Sequence, residues 1–209
     1  MNAEIQIKKG RKFDQVIAGA RDVFMREGYE GASVDVIARD AGVSKATLYS
    51  YFPDKQHLFL AVLQTECSLQ ASHQMGVEFD QKPVPEALLN IAESFLRFLL
   101  SDFGQQIFRV CVAEAVRFPA LGQAFYESGP KNAGRRIAAY LDSPKAQEFL
   151  DIEDTYLAAD QFAQLCRTDL MLKRLFGIVA FPSDVEIDFI ANEAVKTFLA
   201  RYQRKDVTT

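Results

Sequence analysis

The chain has 209 residues, of which 49% are apolar, and its formal net charge is −4. This length suits one medium domain or a small module joined to a larger one, with enough apolar side chains for a substantial core. The sequence contains neither a run of 18 or more apolar residues nor an apolar leader at its N-terminus. We therefore expect a cytoplasmic protein that does not span a membrane.

The charges are distributed unevenly along the chain. Residues 1–55 hold nine Lys and Arg against eight Asp and Glu, whereas residues 56–209 hold 15 against 20. The overall negative charge argues against a general nucleic-acid binder. The slightly basic N-terminal part nevertheless permits DNA binding through a few placed contacts.

The sequence offers little for metal binding or catalysis. Cys67, Cys111 and Cys166 lie far apart, with no Cys-x-x-Cys pair and no His at ligand spacing. We predict no metal site and no cofactor, and interpret the cysteines as reduced, mostly buried thiols, with a redox switch as the alternative. Because paired carboxylates, nucleophile motifs and glycine-rich phosphate loops are also missing from the sequence, we do not expect an enzyme.

Almost every segment has the periodicity of a helix, which predicts an all-α fold. The first helix is predicted from about Lys12 to Glu27, with Gly28 as the glycine that follows its end. The next helices are predicted to begin after Ser33, Ser44 and Asp54. The later predicted helices are about Glu86–Ser101, Gln105–Arg117, Leu121–Leu141, Asp154–Gly177 and Ser183–Arg204, with Gly104, Pro119, Pro144 and Pro182 between them and a kink or split at Gly129-Pro130.

Residues 33–55 have the pattern of a helix-turn-helix. Gly42 can supply the left-handed backbone of a tight turn, and Leu48 is predicted to pack in the core. The remaining positions of the third helix form a polar and aromatic face suited to a major groove: Lys45, Thr47, Tyr49 and Tyr51. Two interpretations of Tyr51 stay open, DNA contact or inward packing against the fourth helix.

Three further residues of this segment are candidates for phosphate contacts. Ser33 and Ser44 mark helix N-termini, where free backbone N–H groups suit phosphate oxygens. Lys55 lies in the first turn of the fourth helix, within reach of a DNA backbone.

The string from Gly42 to Lys55, GVSKATLYSYFPDK, closely resembles the DNA-binding head of TetR-family regulators. Ala20, Phe24 and Gly28-Tyr29 fit the same pattern, so that the resemblance covers about residues 10–60. It implies a three-helix head whose third helix reads the major groove. The complete predicted set of DNA-binding residues is Ser33, Ser44, Lys45, Ala46, Thr47, Tyr49, Tyr51 and Lys55.

The rest of the chain is similar to the ligand-binding and dimerising body of that family. The stretch from Phe108 to Pro130 and the ending Phe198–Tyr202 resemble its AefR-like branch. We expect a DNA-binding head at residues 1–55 and a helical body at 56–209. The resemblance implies a homodimeric regulator that binds a pseudo-palindromic operator in double-stranded DNA and is released by a small apolar or aromatic effector. Because members of this family commonly repress transcription, repression is favoured. A helical protein–protein adaptor is the alternative.

The body contains 14 of the 17 phenylalanines, which leaves an effector pocket and an ordinary core as open interpretations. The charges at Arg109, Glu114, Arg117, Arg167 and Asp169 are likewise interpreted either as structural ion pairs or as ligand anchors. The predicted ligand-binding set is Phe95, Phe98, Arg109, Glu114, Phe118, Phe162 and Asp169.

The last two long predicted helices are the candidates for the dimer interface, where they would form a four-helix bundle with a second copy. Their predicted apolar stripes comprise Leu157, Phe162, Leu165, Leu170, Leu172 and Phe176 on one helix and Ile187, Ile190, Ala194 and Phe198 on the other.

Overall fold

The structure, a computed structural model, describes residues 10–74 and 82–205, apart from the side chains of residues 67, 68 and 70–74. Within these ranges the chain forms twelve helices: α1 Arg11–Gly31, α2 Val34–Asp40, α3 Lys45–Tyr51, α4 Lys55–Gln74, α5 Val84–Leu100, α6 Asp102–Glu114, α7 Pro119–Ser128, α8 Pro130–Leu141, α9 Pro144–Phe149, α10 Thr155–Cys166, α11 Asp169–Leu175 and α12 Asp184–Tyr202. The only β-type pairing among the described residues is an isolated bridge between Leu150 and Gln203. The predicted all-α fold is confirmed. Among the described residues, none of the helices has both the length and the apolar composition that a membrane span requires.

The predicted boundaries of α2 and α3 are confirmed by their caps. The Ser33 Oγ accepts a hydrogen bond from the Asp35 N–H at 3.2 Å, and the Ser44 Oγ accepts one from the Thr47 N–H at 3.1 Å. Between the two helices Gly42 has a φ of 66°, in the left-handed region that favours glycine. These local interactions fix the helix-turn-helix.

The regular part of α1 ends where the sequence predicted, at Gly28, and a short further turn of helix follows. Gly28 has the non-helical angles φ 72° and ψ 176°, which kink the chain where the sequence placed the end of the helix. The helix then continues to Gly31.

The chain divides into two compact units. The first contains the chain up to Ser68 together with Gln106–Phe125, and the second contains Leu69–Gln105 together with the chain from Tyr126 onwards. In the first unit the buried faces of α1, α3 and α4 meet, as in the contact of Phe24 with Phe59 at 5.0 Å between ring centroids. In the second unit α12 packs on α5 and α10 packs on α8, around one apolar cluster.

Several predicted helices of the body have different ends in the structure. The predicted kink or split at Gly129-Pro130 is confirmed, because the expected helix Leu121–Leu141 is divided there into α7 and α8. Helix α7 begins earlier than expected, at Pro119. Pro144, predicted as a breaker, is the first residue of α9, because proline is well tolerated in a first turn that Ser143 caps. The expected helix Asp154–Gly177 is interrupted at residues 167 and 168 and forms α10 and α11.

Gly104 lies inside a helix, although the sequence suggested that it separates two. Helix α6 begins before it because the Ser101 Oγ accepts a hydrogen bond from the Gly104 N–H at 3.0 Å and so caps the first turn. A Cβ atom at Gly104 would overlap the carbonyl oxygen of Phe98. The glycine therefore permits a close approach between the end of α5 and the start of α6.

The predicted dimer stripes are partly wrong because five of their residues belong to the chain's own core. These five are Phe162, Leu170, Ile187, Ala194 and Phe198, all buried within the second unit. Leu157, Leu172 and Phe176 from the same prediction are exposed. Helical periodicity identified apolar faces correctly but could not separate a core within one chain from a face available to another.

We expect Gly19→Ala to destabilise the chain, although alanine is the better helix former. A Cβ atom at Gly19 of α1 would lie 2.8 Å from the Cβ and 2.9 Å from the Cα of Ala41 at the end of α2. The overlap should outweigh a propensity gain of about 1 kcal/mol and lower the free energy of unfolding by about 1–2 kcal/mol. Thermal and urea unfolding would measure this change.

Gly134→Ala in α8 is the matched control, since a Cβ at that position would have no atom of the described residues within 4 Å apart from its chain neighbours and the backbone of its own helix. We expect it to raise the free energy of unfolding by about 0.5–1 kcal/mol. Equal stabilisation by both substitutions would contradict the close packing of α1 on α2.

Candidate nucleic-acid interface

Helix α3 is held to the first unit by one face and exposes the other. Leu48 and Phe52 are buried, and the ring of Tyr51 lies edge-on to Phe13 of α1, with 5.9 Å between centroids. Tyr51 is half-buried, and its ring packs on α1. The exposed residues of the predicted DNA-binding set on this helix are Lys45, Ala46 and Tyr49.

The serine and threonine hydroxyl groups of this segment are engaged in local hydrogen bonds. The Oγ atom of Ser44 lies 2.9 Å from the Oγ1 atom of Thr47, in addition to capping α3. The Ser50 hydroxyl donates to the Thr47 carbonyl at 2.6 Å. Together with the Ser33 cap of α2, these bonds hold the backbone of the two helices in one arrangement.

Lys45 forms an ion pair with Asp35 of α2, a partner that the sequence did not indicate. The hydrogen bond from Lys45 to this carboxylate raises the pKa of the lysine above its ordinary value. Both side chains are exposed, and exposed pairs of this kind contribute only about 0–1 kcal/mol. A competing anion can therefore displace Asp35 easily.

Lys55 is the predicted site residue with the most extensive contacts inside the chain. Its ammonium donates to the carbonyl oxygen of Tyr29 at 2.8 Å and to those of Glu30 and Ala32 at 3.3 Å each. The same group lies 4.7 Å from the centroid of the Tyr29 ring. The lysine thereby joins the start of α4 to the segment between the Gly28 kink and α2.

Part of α6 and the connection between α6 and α7 also contact α1 within the first unit. The Gln106 side-chain amide donates to the carbonyl of Met25 at 2.7 Å and to that of Phe24 at 3.2 Å, just before the kink in α1. Arg117 pairs with Glu30 at 2.8 Å. The sequence did not identify these contacts, which join residues more than 80 positions apart.

The predicted ligand-binding residues are divided between the two units. Arg109, Glu114 and Phe118 belong to the first, where Phe118 contacts the ring of Tyr29 at 6.3 Å between centroids. In the second unit Phe95 and Phe162 are buried core residues, and Phe98 is half-buried. Asp169 is exposed and pairs with Lys173, so that its charge is not a buried one.

Three polar side-chain atoms of the second unit are buried and have no hydrogen-bond partner among the described residues. They are the Nδ2 of Asn90, the Oε1 of Gln105 and the Nε of Arg167. Only Arg167 had been singled out from the sequence, as one of five charges in the body. Buried polar groups are usually satisfied, so each of these atoms requires a physical explanation.

A groove of about 490 Å³ runs along the outer side of the second unit between α10 and α12. Its lining combines polar residues, among them Gln161 and Gln164, with Leu165 and Phe198. At the N-terminal end of α10 the neighbouring side chains of Tyr156 and Leu157 are exposed, as are those of Val185 and Phe189 on α12. Large apolar side chains in such number on two helices indicate a surface that another molecule covers.

The cysteine thiols that the structure describes are buried, as expected from the sequence. Cys111 belongs to α6 and Cys166 to the end of α10, and no disulfide joins the two. Burial raises the pKa of the Cys166 thiol to about 12. A thiol with this pKa is almost entirely protonated at neutral pH and reacts slowly with oxidants. The side chain of Cys67 lies outside the described residues.

Two family profiles match the sequence. The profile described as bacterial regulatory proteins of the tetR family matches residues 16–62. The profile of the AefR-like transcriptional repressor C-terminal domain matches residues 86–204, more than half of the chain.

Individual relatives agree with these matches. The activator FasR of Mycolicibacterium smegmatis is 42% identical over 59 residues, which are 28% of this chain and 27% of that protein. The match to this curated relative thus spans about a quarter of its length.

Solved structures are similar over nearly the whole chain. The flavonoid-responsive regulator FrrA is 35% identical, with a TM-score of 0.76, and the match covers 94% of this chain and all of that one. A TetR-family regulator from Mesorhizobium loti is 27% identical, with a TM-score of 0.81 and coverage of 93% and 98%. The likeness includes both the segment with the helix-turn-helix and the helices that follow it.

Proposed function

Because the chain belongs to the TetR family of bacterial transcription regulators, we propose that it binds a pseudo-palindromic operator as a homodimer, represses transcription and is released by a small apolar or aromatic effector. The observation that carries this proposal is the exposed polar and aromatic face of α3 beside its buried anchors Leu48 and Phe52. Such a helix can enter the major groove while the rest of the head supports it. We propose that residues 1–55 bind the operator and that residues 56–209 bind the effector and form the dimer.

We propose that base edges are contacted by Lys45, Ala46, Thr47 and Tyr49. Lysine can donate to guanine, and the small or methylated side chains can contact thymine methyl groups. The half-buried Tyr51 supports α3 by packing on α1, and we propose that its exposed part contacts the DNA. Ser33 and Ser44 place the helix ends against phosphates while their hydroxyls act as caps.

The operator can be identified by selecting bound duplexes from a random DNA pool at near-physiological salt and sequencing them. We expect an inverted repeat whose half-sites lie about 34–36 Å apart, one turn of the double helix. A pool that stays unenriched, with the protein folded and dimeric, would contradict sequence-specific binding.

We expect Lys45→Ala to relax base preference at one position of each half-site. A lysine that donates to a guanine edge contributes about 1–3 kcal/mol of discrimination, which the variant would lose. Binding to the selected operator and to single-base variants of it measures this effect. Asp35→Asn is the control, because it releases Lys45 from its ion pair without removing it, and we expect it to bind the operator at least as tightly as the wild type. An equal loss on operator and random DNA for Lys45→Ala would assign the lysine to a phosphate.

We propose that the homodimer forms through the outer faces of α10 and α12. Support comes from the groove between these helices and from the exposed side chains of Leu157 and Phe189, which are 52% and 66% accessible. Two such faces packed around a two-fold axis form a four-helix bundle.

The proposals of an aromatic effector and of repression are supported by the comparisons. The similarity to a flavonoid-responsive regulator supports an aromatic effector, and the match to the AefR-like repressor profile supports repression.

A further inference from the structure

Arg167 combines a buried donor with the absence of an anionic partner among the described residues. It follows α10, and its guanidinium carbon lies 5.8 Å from the centroid of the Phe95 ring of α5. Its Nε atom is shielded from solvent and has no hydrogen-bond partner in the described part of the chain. No described carboxylate forms an ion pair with it, and burial lowers its pKa below the ordinary value, against a smaller opposing effect from Asp160.

Another arginine of the same unit, Arg174, has a buried guanidinium with partners inside the protein. Arg174 of α11 is 9% exposed, and it pairs with Asp102 and donates from its Nε to the Leu100 carbonyl at 3.2 Å. Its cation is thus satisfied by the protein. Arg167 is partly buried in the same unit and has no such partner among the described residues, although removing a charge from water without compensation is unfavourable for folding. Buried polar groups without partners are expected at functional sites more than elsewhere in a protein.

We propose that Arg167 binds the carboxylate of an organic acid that has an apolar or aromatic body. The Nε–H and a neighbouring N–H of a guanidinium form a parallel pair of donors that matches the two oxygens of a carboxylate. The Phe95 ring supports the guanidinium from one face, and Cys166 and Leu170, which flank Arg167 in the sequence, are buried in the apolar cluster that also contains Phe95. An acid that reaches this position must therefore bring an apolar part with it. The inference rests on the proposed effector binding and specifies the chemical class of the effector.

Two fluorescent dyes that differ by one acidic group test this assignment on the intact dimer. The dyes are 1-anilinonaphthalene-8-sulfonate, whose sulfonate stands in for the carboxylate, and uncharged N-phenyl-1-naphthylamine. We expect Arg167→Met to weaken binding of the sulfonate dye about tenfold or more, as for the loss of a charge-assisted hydrogen bond, and to leave the uncharged dye unaffected. Arg135→Met is the control, because Arg135 is an exposed arginine on α8 of the same unit, and both dyes should bind this variant as they bind the wild type.

Thermal stability separates ligand binding from a structural role. Arg167 is partly buried and has no anionic partner among the described residues, so replacing it by an apolar side chain of similar length is expected to leave the melting temperature of Arg167→Met unchanged or to raise it. A lower melting temperature, weaker binding of both dyes, or unchanged binding of the sulfonate dye would each overturn the proposal. Should Arg167→Met fail to fold, Arg167→Lys retains the charge without the paired donors, and selective weakening of the sulfonate dye is again the expected result. Selection of an operator by ligand-free protein tests the proposed function separately, so that either can fail alone.

Discussion

Phe198→Asp is expected to unfold the chain, whereas Phe189→Asp is expected to leave it folded and to dissociate the dimer. Phe198 is 1% exposed and packs against the rings of Phe162 and Tyr202 at 5.0 and 4.8 Å between centroids. Removing such a ring from a core costs about 3–5 kcal/mol, and an unpaired buried carboxylate adds to this cost. The sum approaches the whole stability of a typical domain, about 5–15 kcal/mol.

Phe189 lies on the same helix but is 66% exposed within one chain. A carboxylate at position 189 is solvated in the monomer but would lie against an apolar surface in the proposed dimer. We expect the dimer dissociation constant to rise about tenfold to a hundredfold, in the range of a hot-spot residue. Circular dichroism measures the folding of both variants, and sedimentation equilibrium measures their association.

Val116→Asp is the matched control, because Val116 is 93% exposed in the connection between α6 and α7 of the first unit. It should neither unfold the chain nor dissociate it. An intact dimer with Phe189→Asp would contradict the proposed interface. A well-folded Phe198→Asp chain would contradict the packing of α12 on the core.

These two phenylalanines illustrate a limit of helical periodicity. Apolar residues occur on more than one side of α12, and the sequence assigned Phe198 to a dimer stripe because it lies at the expected spacing. The structure places it inside, since α12 packs on α5 of the same chain. A sequence pattern indicates that a side chain is buried. It does not indicate whether the side chain is buried by its own chain or by a second copy.

The head was predicted in detail because its structure depends on local interactions. The Ser33 and Ser44 caps involve atoms two and three residues apart, and Gly42 adopts a left-handed conformation that glycine favours by itself. The body was predicted less well. The cap of α6 by Ser101 was not recognised, and no glycine or proline marks the interruption between α10 and α11.

The candidate sites depend on contacts over long separations in sequence. Lys55 meets carbonyls more than 20 residues earlier, and Arg167 meets a ring on another helix, α5. The sequence could identify these cations as candidates for phosphate and ligand contacts. It could not reveal that one of them is satisfied by backbone oxygens and the other lacks an anionic partner among the described residues.

We expect Lys55→Met to destabilise the head and to leave the salt dependence of DNA binding unchanged. The sequence suggested a phosphate contact for Lys55, but its ammonium is already bonded to three carbonyls of the segment between α1 and α2. Methionine retains the apolar stem and removes these bonds. The loss of hydrogen bonds from a charged donor should lower the free energy of unfolding by about 1.5–3 kcal/mol. Thermal unfolding and operator binding over a range of salt concentrations measure the two quantities.

The slope of binding against salt decides between the two roles of Lys55. Each phosphate that a lysine neutralises contributes about one unit to this slope, so a structural lysine contributes nothing. Lys45→Met is the control for stability, because Lys45 is exposed and its pair with Asp35 contributes little to folding. A slope lower by about one unit with an unchanged melting temperature would assign the Lys55 ammonium to a phosphate of the operator. An unchanged slope with a lower melting temperature would mean that the lysine orients the recognition helix by fixing the backbone that leads into it.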